Sequence, residues 1–276
     1  MRVLITGANG FLGSALFNQL QKTNHTILPF VRKKKSANDI ECNVGNASNL
    51  LNALNEYQPD VIINCAAKVD FSGNSMQEQY NVNALAPAIH ASWCESNNAH
   101  LIQISSSIVN GNTATIFSND SIELPINHYG ETKLLADRAI RLSQCSHTIV
   151  RFGGIFGEGG PNHLGINSAI TQAKLGNIPT IFGKGNALRN YIHVQDAAKL
   201  LIHCLENKII GTHYSGNHQF ISIAQMINDI CSVYLNGVSP NYKDGSEGAD
   251  QLSKVSASFP DTTPWLVTIT QRASKQ

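Results

Sequence analysis

Several features that would place the chain in a special class of protein are missing from its sequence. No apolar run approaches the ~20 residues that a membrane-spanning helix needs. The short apolar stretch after Arg2 is also too brief for the core of a signal peptide. The 20 Lys and Arg residues nearly balance the 19 Asp and Glu residues, so there is no basic excess for holding nucleic-acid phosphates. We therefore expect neither a membrane nor a nucleic acid as partner.

Cysteine pairs and metal-binding motifs are absent as well. The six cysteines include no Cys-x-x-Cys pair, and the ten histidines form no His-Glu-x-x-His sequence. Scattered cysteines in apolar surroundings are typical of reduced thiols in a cytoplasmic protein without a metal site. With 276 residues, of which 42% are hydrophobic, the chain is long enough to bury a core without disulfides or metals.

Short apolar runs alternate with longer amphipathic stretches in the first half of the chain. The pattern predicts strands at 3–5, 26–31, 61–63, 101–104 and 148–150, and helices at 12–20, 47–56, 76–96 and 128–142. Such alternation favours an α/β fold with a Rossmann-like doubly wound parallel sheet. We predict a dinucleotide-binding domain over residues 1–155 and a small substrate-binding lobe over residues 156–276, with residues 190–217 returning to the first domain. In the final part of the chain, the only helical pattern lies around residues 224–235.

A glycine-rich segment joins the first predicted strand to the first predicted helix. It runs Thr6-Gly7-Ala8-Asn9-Gly10-Phe11-Leu12-Gly13, so its glycines are spaced GxxGxxG. Glycine lets the backbone turn tightly and approach a pyrophosphate, while N–H groups at the start of the helix face the phosphates. Directly after an N-terminal strand, this spacing predicts a dinucleotide site, and a plain glycine-rich turn is the alternative.

The residues after the second predicted strand bear on which dinucleotide binds. In NAD-preferring versions of the fold, an acid at this place binds the ribose 2′-hydroxyl. Here Val31 is followed by Arg32-Lys33-Lys34-Lys35, with no carboxylate. Because a guanidinium suits a 2′-phosphate, Arg32 favours NADP as cofactor, with NAD as the alternative. A solvated basic loop is the interpretation that needs no ligand.

Tyr129 and Lys133 are four residues apart in a predicted helix and therefore share one of its faces. A free phenol has a pKa of about 10 and is a poor acid–base catalyst near neutrality. A nearby ammonium stabilises the phenolate, so we expect Lys133 to lower the pKa of Tyr129. The pair predicts an acid–base site, and an exposed helix surface is the alternative.

With these motifs in place, the chain resembles the extended short-chain dehydrogenase/reductase family, specifically its nucleotide-sugar epimerase/dehydratase/reductase branch. The resemblance covers about residues 1–217. Besides the glycine loop and the Tyr129–Lys133 pair, it rests on Asn64-Cys65-Ala66-Ala67, Asn81-Val82-Asn83, Ile104-Ser105-Ser106-Ser107-Ile108-Val109, Arg151 with Ile155-Phe156-Gly157, the segment 183–196, and Tyr214-Ser215-Gly216. It implies the fold predicted above, NADP or NAD as cofactor and a nucleotide sugar as substrate, with a homodimer among the expected assemblies.

The resemblance also implies roles for individual residues. Tyr129 would be the acid–base, and Lys133 would bind the nicotinamide ribose. Ser106 would be the catalytic hydroxyl, with Ser107 as runner-up, and Arg189 and Ser107 would contact the substrate. The other matching residues would surround the cofactor: Gly7, Gly10, Phe11, Leu12, Gly13, Asn43, Val44, Ala66 and Ala67.

Departures from the family pattern narrow the expected reaction. Dehydratases of the branch carry an Asp-Glu pair directly after the catalytic Ser or Thr, whereas this chain has Ser107-Ile108, so a 4,6-dehydratase is disfavoured. Asn43 replaces an Asp near the adenine, and its amide can still bond to an adenine amino group. Asn81 is either structural or a cofactor contact.

The resemblance leaves chemistry at C4 of a nucleotide-activated sugar as the expected activity. Reduction of a 4-keto sugar is slightly favoured over 4-epimerisation, because Arg32 suits NADPH and epimerases usually hold NAD. The alternative of another class is a non-catalytic dinucleotide-binding sensor or subunit. It is disfavoured because such proteins often lose the catalytic Tyr or Lys, and both are present here.

Overall fold

The computed structural model describes residues 1–273. In chain order its strands are β1 (Arg2–Thr6), β2 (Thr26–Val31), β3 (Ile40–Glu41), β4 (Val61–Asn64), β5 (His100–Ser106), β6 (Ile116–Phe117), β7 (Ser146–Phe152), β8 (Ile155–Phe156), β9 (Thr180–Phe182), β10 (Leu188–Arg189), β11 (Ile192–His193), β12 (Gly211–Ser215), β13 (Ile221–Ser222), β14 (Asn241–Lys243) and β15 (Leu252–Ser253). Its helices are α1 (Phe11–Leu20), α2 (Ala47–Tyr57), α3 (Met76–Tyr80), α4 (Ala86–Asn97), α5 (His128–Leu142), α6 (Gly165–Lys174), α7 (Val194–Glu206), α8 (Ile223–Tyr234) and α9 (Trp265–Ala273). A π-helical turn (Asn81–Leu85) joins α3 to α4, and a 3₁₀ turn (Ser107–Asn110) follows β5.

Seven strands form one parallel sheet in the order β12-β7-β5-β4-β1-β2-β3. The order reverses at β1, with β2 and β3 on one side and the later strands on the other. In open parallel sheets, ligands bind in the crevice that this reversal opens at the carboxyl ends of the strands. The prediction of a Rossmann-like doubly wound sheet is confirmed.

Helices cover both faces of the sheet because the central strands are apolar on both sides. On one face, α1 and α7 pack against the sheet through residues such as Leu16 and Leu201. On the other face, α2, α4 and α5 bury residues such as Leu50 and Ile140. A third cluster, around Ile230, joins α6, α8 and α9 outside the sheet. Among the helices between residues 1 and 273, each is too short or too polar to span a bilayer.

The observed elements follow the predicted ones closely in the first half of the chain. Helix α5 has the predicted bounds, and the segment 190–217 supplies β12 to the sheet and α7 to its surface. The predicted helix over 76–96 is interrupted by the π-helical turn, because Pro87 lacks the N–H that a continuous helix would use there. Helix α9 was missed, since it is short and contains two β-branched threonines. The division into domains at residue 155 stays a prediction.

Candidate active site

A cavity of about 690 Å³ lies over the carboxyl ends of the central strands. Most of the residues predicted to bind the cofactor are in its wall: Gly7, Gly10, Phe11, Leu12, Arg32, Asn43, Val44, Ala66 and Ala67. Ser106 and Tyr129 line the same cavity. The structure therefore brings together residues that lie more than a hundred positions apart in the chain.

The glycine loop is shaped for close approach of the backbone to a ligand. Gly7 has a positive φ of +64°, and a Cβ there would lie 3.0 Å from the Cα of Ala66 on the neighbouring strand end. Gly13 is outside the cavity wall; a Cβ on it would come within 2.1 Å of the Gly7 carbonyl oxygen, so its role here is to let α1 pack against the loop. No side chain caps the start of α1 at Gly10, which leaves that helix end open to an anion.

Helix α5 carries the predicted catalytic pair. Asn127 caps the helix by accepting a hydrogen bond from the Gly130 N–H at 2.8 Å, which fixes Tyr129 in the first turn. One turn later, Lys133 is buried behind the cavity wall rather than in it, and donates to the carbonyl oxygen of Ile104 at 3.0 Å. Its Nζ is 5.9 Å from the centroid of the Tyr129 ring. The helix therefore holds the phenol and the ammonium side by side, next to the end of β5.

Burial dominates the electrostatics of this pair. Burial raises the pKa of Tyr129 to about 12. It also lowers the pKa of Lys133 to about 8, against the opposing effect of the Asp137 carboxylate. The expectation that the pKa of Tyr129 falls is therefore wrong, because desolvation of the phenolate raises it. The phenol is neutral at physiological pH and able to donate a proton.

The three consecutive serines after β5 have different environments. Ser105 is buried, and its hydroxyl donates to Asp137 Oδ2 at 2.9 Å. Ser106 accepts a hydrogen bond from the Ile108 N–H at 3.3 Å, which caps the 3₁₀ turn, and it lines the main cavity. Ser107 faces a second, smaller cavity. Ser105 thus lines the main cavity with its hydroxyl bonded to Asp137, Ser106 lines both cavities, and Ser107 lines only the smaller one.

This second cavity, of about 240 Å³, adjoins the first at Ser106. Arg189 lines it, with Nη1 donating to the carbonyl oxygens of Leu188 and Ala249 at 2.7 and 2.8 Å. Gly154 lies between the chambers, where a Cβ would be 2.2 Å from the ring of Tyr191. Arg189 also hydrogen-bonds the Tyr191 side chain, so its guanidinium is held at a chamber that meets the main cavity at Ser106.

A buried ion network supports the site from behind. Arg151, at the end of β7, donates to Asp137 Oδ2 at 2.9 Å, to Glu123 Oε1 at 2.5 Å and to the Tyr214 hydroxyl at 2.8 Å. Asp137 also accepts the hydrogen bond from Ser105. Because Asp137 lies one turn after Lys133 on α5, the network ties the catalytic helix to the strands beside it.

Sequence reasoning missed several residues of the site. Phe71 places its ring 5.8 Å from the rings of both Tyr129 and His163, and all three line the main cavity. Asn83 accepts from the Lys68 N–H at 2.8 Å and donates to the Lys68 carbonyl oxygen at 2.7 Å, which anchors the loop after β4. The Asn-Val-Asn motif could have indicated Asn83 as the structural residue. Phe71 and His163 have no local signal.

No group of three or more His, Cys, Asp or Glu residues within residues 1–273 is arranged to hold a metal ion. The six cysteines are all free; five are buried, and Cys65 is partly exposed at the main cavity.

Comparisons with known proteins agree with this geometry. A family model described as the RmlD substrate binding domain matches residues 1–243. The spore coat polysaccharide biosynthesis protein SpsK of Bacillus subtilis is 27% identical over 176 residues, which are 63% of this chain and 60% of that protein. The chain therefore spans about three fifths of the length of this relative.

Two other similar proteins cover more of the chain. Methionine adenosyltransferase 2 subunit beta of Mus musculus is 27% identical over 238 residues, which are 79% of this chain and 68% of that protein. The crystal structure of a dTDP-4-dehydrorhamnose reductase from Clostridium acetobutylicum is 25% identical with a TM-score of 0.74, and the match covers 89% of this chain and 84% of that one. Since the family model takes in both the glycine loop and the Tyr129–Lys133 pair, the chain belongs to the RmlD substrate binding domain family, which confirms its resemblance to the nucleotide-sugar branch of the extended short-chain dehydrogenases/reductases.

Proposed function

We propose that the protein is an NAD(P)-dependent reductase that acts at C4 of a nucleotide-activated 4-keto sugar. The observation that carries this proposal is the position of Ser106 at the junction of the two cavities, where Tyr129 also lines the larger one. A dinucleotide in the larger cavity and a sugar nucleotide entering from the smaller one would meet at these hydroxyls. The similarity to a dTDP-4-dehydrorhamnose reductase supports the substrate class.

The residues of the larger cavity fit a dinucleotide. The uncapped start of α1 and the side-chain-free Gly7 are suited to a pyrophosphate, and Arg32 lies at the end of β2, where the adenosine ribose is held in this fold. We favour NADP(H), with NAD(H) as the alternative. When bound, the reduced dinucleotide supplies the hydride for the carbonyl carbon.

The protein's own side chains would donate the proton and stabilise the negative charge that develops on the substrate oxygen. Tyr129, neutral because burial raises its pKa to about 12, donates its proton to the substrate oxygen. Ser106 hydrogen-bonds the same oxygen. Lys133 holds the nicotinamide ribose, and its bond to Ile104 fixes the ammonium in place. General acid catalysis of this kind contributes about 10²–10⁴-fold to the rate.

In the smaller cavity, Arg189 is proposed to bind the diphosphate of the substrate, and Ser107 is proposed to contact its sugar. The planar guanidinium matches phosphate oxygens in pairs, and both carbonyl contacts of Arg189 are made by Nη1, with the Tyr191 side chain as a further partner of the group. These assignments predict that substitutions at Ser106 and Tyr129 mainly lower kcat, whereas substitution of Arg189 mainly raises KM.

A screen of nucleotide sugars tests the proposal. The purified protein is incubated with NADPH or NADH and 4-keto sugars linked to dTDP, UDP or GDP, and cofactor loss and product identity are followed together. Stoichiometric loss of NADPH indicates reduction, whereas interconversion of C4 epimers without net loss indicates a 4-epimerase. Tyr129→Phe should lose about 10²–10⁴-fold in rate but keep cofactor affinity. The matched control is Tyr242→Phe, because Tyr242 is an exposed residue of β14 outside both cavities. Full turnover by Tyr129→Phe would show that the catalytic assignment is wrong.

A second candidate function is a dinucleotide-binding subunit without its own reaction. It is favoured by the similarity to methionine adenosyltransferase 2 subunit beta, which extends over 79% of this chain. Retention of Tyr129, Lys133 and Ser106 argues against it. Cofactor binding without turnover of any substrate in the screen, together with a co-purifying enzyme, would favour the subunit.

Two further expectations from the sequence stay proposals. A cytoplasmic location is supported by the six free cysteines, none of which is paired. A homodimer is the proposed assembly, and light scattering of the purified protein measures it directly.

A further inference from the structure

A carboxylate from α3 lies at the cofactor end of β2, although the residues directly after that strand, Arg32 to Lys35, include none. Glu78, in α3, has its Oε1 3.6 Å from Nη1 of Arg32. Its Oε2 is 2.8 Å from Nζ of Lys68, in the loop after β4. All three side chains line the main cavity together with the glycine loop. Glu78 therefore pairs with one cation that follows β2 and one that follows β4, the two strands on either side of β1.

The local structure directs Glu78 toward this place. Val82, one helical turn after Glu78, lines the same cavity, as do Asn43 and Val44. The loop that precedes α3 is held by Asp70, whose carboxylate accepts hydrogen bonds from the backbone and side chains of the two serines at positions 72 and 75. This face of α3 is thus fixed over the part of the cavity that the end of β2 borders.

We propose that Glu78 weakens the preference for NADP(H) that Arg32 provides, and thereby sets the balance between NAD(H) and NADP(H). The inference rests on the proposed function, since it requires a dinucleotide in the main cavity. In this fold, the acid that binds the ribose 2′-hydroxyl usually follows the second strand directly. Here that place is taken by Arg32, and the carboxylate reaches it from a helix 46 positions later in the chain.

Glu78 and Arg32 have opposite effects on a 2′-phosphate. The guanidinium of Arg32 attracts the phosphate and can bond to two of its oxygens. The carboxylate of Glu78 repels the phosphate and competes with it for Arg32. A ribose 2′-hydroxyl, in contrast, is uncharged and can donate a hydrogen bond to the carboxylate. Lys68 gives Glu78 a second partner, so the carboxylate stays in the cavity when Arg32 turns to a ligand.

The substitution Glu78→Gln separates these effects. It removes the negative charge but keeps a carbonyl oxygen that can accept from a hydroxyl. We expect the affinity for NADPH to rise about tenfold, because a like charge a few ångströms from the phosphate is lost. The affinity for NADH should change less than about threefold. Arg32→Ala should do the opposite and weaken NADPH about tenfold while leaving NADH nearly unchanged.

Fluorescence titration of the protein with each dinucleotide, without any sugar, measures the ratio of the two dissociation constants. Glu206→Gln is the matched control, because it makes the same change of charge at an exposed position near the end of α7, outside the cavity. Glu78 is 45% exposed, so its replacement leaves the core intact, and NADH binding reports that the site is still formed.

The outcomes separate this inference from the proposed function. A shift of the NADPH-to-NADH affinity ratio toward NADPH in Glu78→Gln, absent from Glu206→Gln, supports the role of Glu78. An unchanged ratio in a protein that binds both dinucleotides overturns that role and leaves the proposed function standing. If the wild-type protein binds neither dinucleotide, both proposals fail.

Discussion

Replacement of Arg151 by Met tests whether the buried ion network holds the catalytic helix against the sheet. The Arg151 side chain is 2% exposed and contacts Asp137, Glu123 and Tyr214. Asp137 is on α5, which also carries Tyr129. Met fills a similar volume without a charge, so the variant isolates the electrostatic contribution of the guanidinium.

The magnitude follows from what each partner retains. The Asp137 side chain is 0% exposed and keeps one hydrogen bond from Ser105 and the attraction of the Lys133 ammonium, while its Oδ1 has no partner among the described residues. Glu123 keeps Arg141 at 2.8 Å and is reached by solvent, so it loses little. Breaking a buried ion pair by removing one partner costs about 3–5 kcal/mol in the free energy of unfolding. At about 2–4 °C per kcal/mol, the melting temperature should fall by roughly 10 °C.

The loss should also depend on pH. Burial raises the pKa of Asp137 even beside Arg151, and removal of the guanidinium raises it further. A carboxyl group whose pKa is higher in the folded than in the unfolded state loses stability as the pH rises through the folded pKa. The destabilisation by Arg151→Met should therefore be larger at about pH 8 than at about pH 5.

Urea unfolding and thermal melting measure both quantities. Arg141→Met is the matched control, since Arg141 donates to the same Glu123 but is 37% exposed, and exposed pairs contribute at most about 1 kcal/mol. Equal losses in the two variants would refute the argument from burial. Adding Asp137→Asn to Arg151→Met should recover part of the stability, and no recovery would show that an uncompensated charge is not the cause.

Three further predictions concern the proposed reaction. Ser106→Ala should lower kcat about 10²-fold, whereas Ser107→Ala should change it less than about fivefold; steady-state kinetics of both variants would contradict the assignment if the order were reversed. The value of kcat/KM should fall above about pH 8. Burial lowers the pKa of Lys133 to about 8, so Lys133 loses its proton there while Tyr129 stays protonated. A pH profile that is flat to about pH 9.5 would argue that a charged Lys133 is not required. Arg189→Ala should raise KM about tenfold and change kcat less than about threefold. A variant that lowers kcat alone would contradict the proposal that Arg189 binds the substrate diphosphate.

The strand and helix pattern of the first half of the chain was predictable because its signals are local. Helix α5 was predicted with its observed bounds from the helical pattern of the sequence. Helix α9 was missed because its stability comes from packing of Trp265 and Ile269 against a cluster formed by α6 and α8. Packing between distant segments leaves little trace in a short stretch of sequence.

The catalytic pair and the serines show the same division within the site. Tyr129 and Lys133 share a face of one helix, so their proximity follows from helical geometry alone. The pKa of Tyr129 was expected to fall, but it rises, since it depends on the groups that bury the ring, Phe71 among them. Ser105 and Ser106 are identical neighbours in the sequence and both line the main cavity, and only the position of Asp137 on α5 shows that the Ser105 hydroxyl is taken up by a structural hydrogen bond.

The strands and helices of the first half, the glycine loop and the Tyr129–Lys133 pair could be predicted from the sequence, because each depends on residues within a few positions of one another. The charge at the cofactor end of β2, in contrast, follows from the packing of distant segments. The sequence there contains Arg32 and no acid, yet Glu78 lies 3.6 Å from it and Lys68 lies beside Glu78. The physical reason is that parallel strands bring their carboxyl ends, and the loops and helices that follow them, to one edge of the sheet, where charges from distant segments meet.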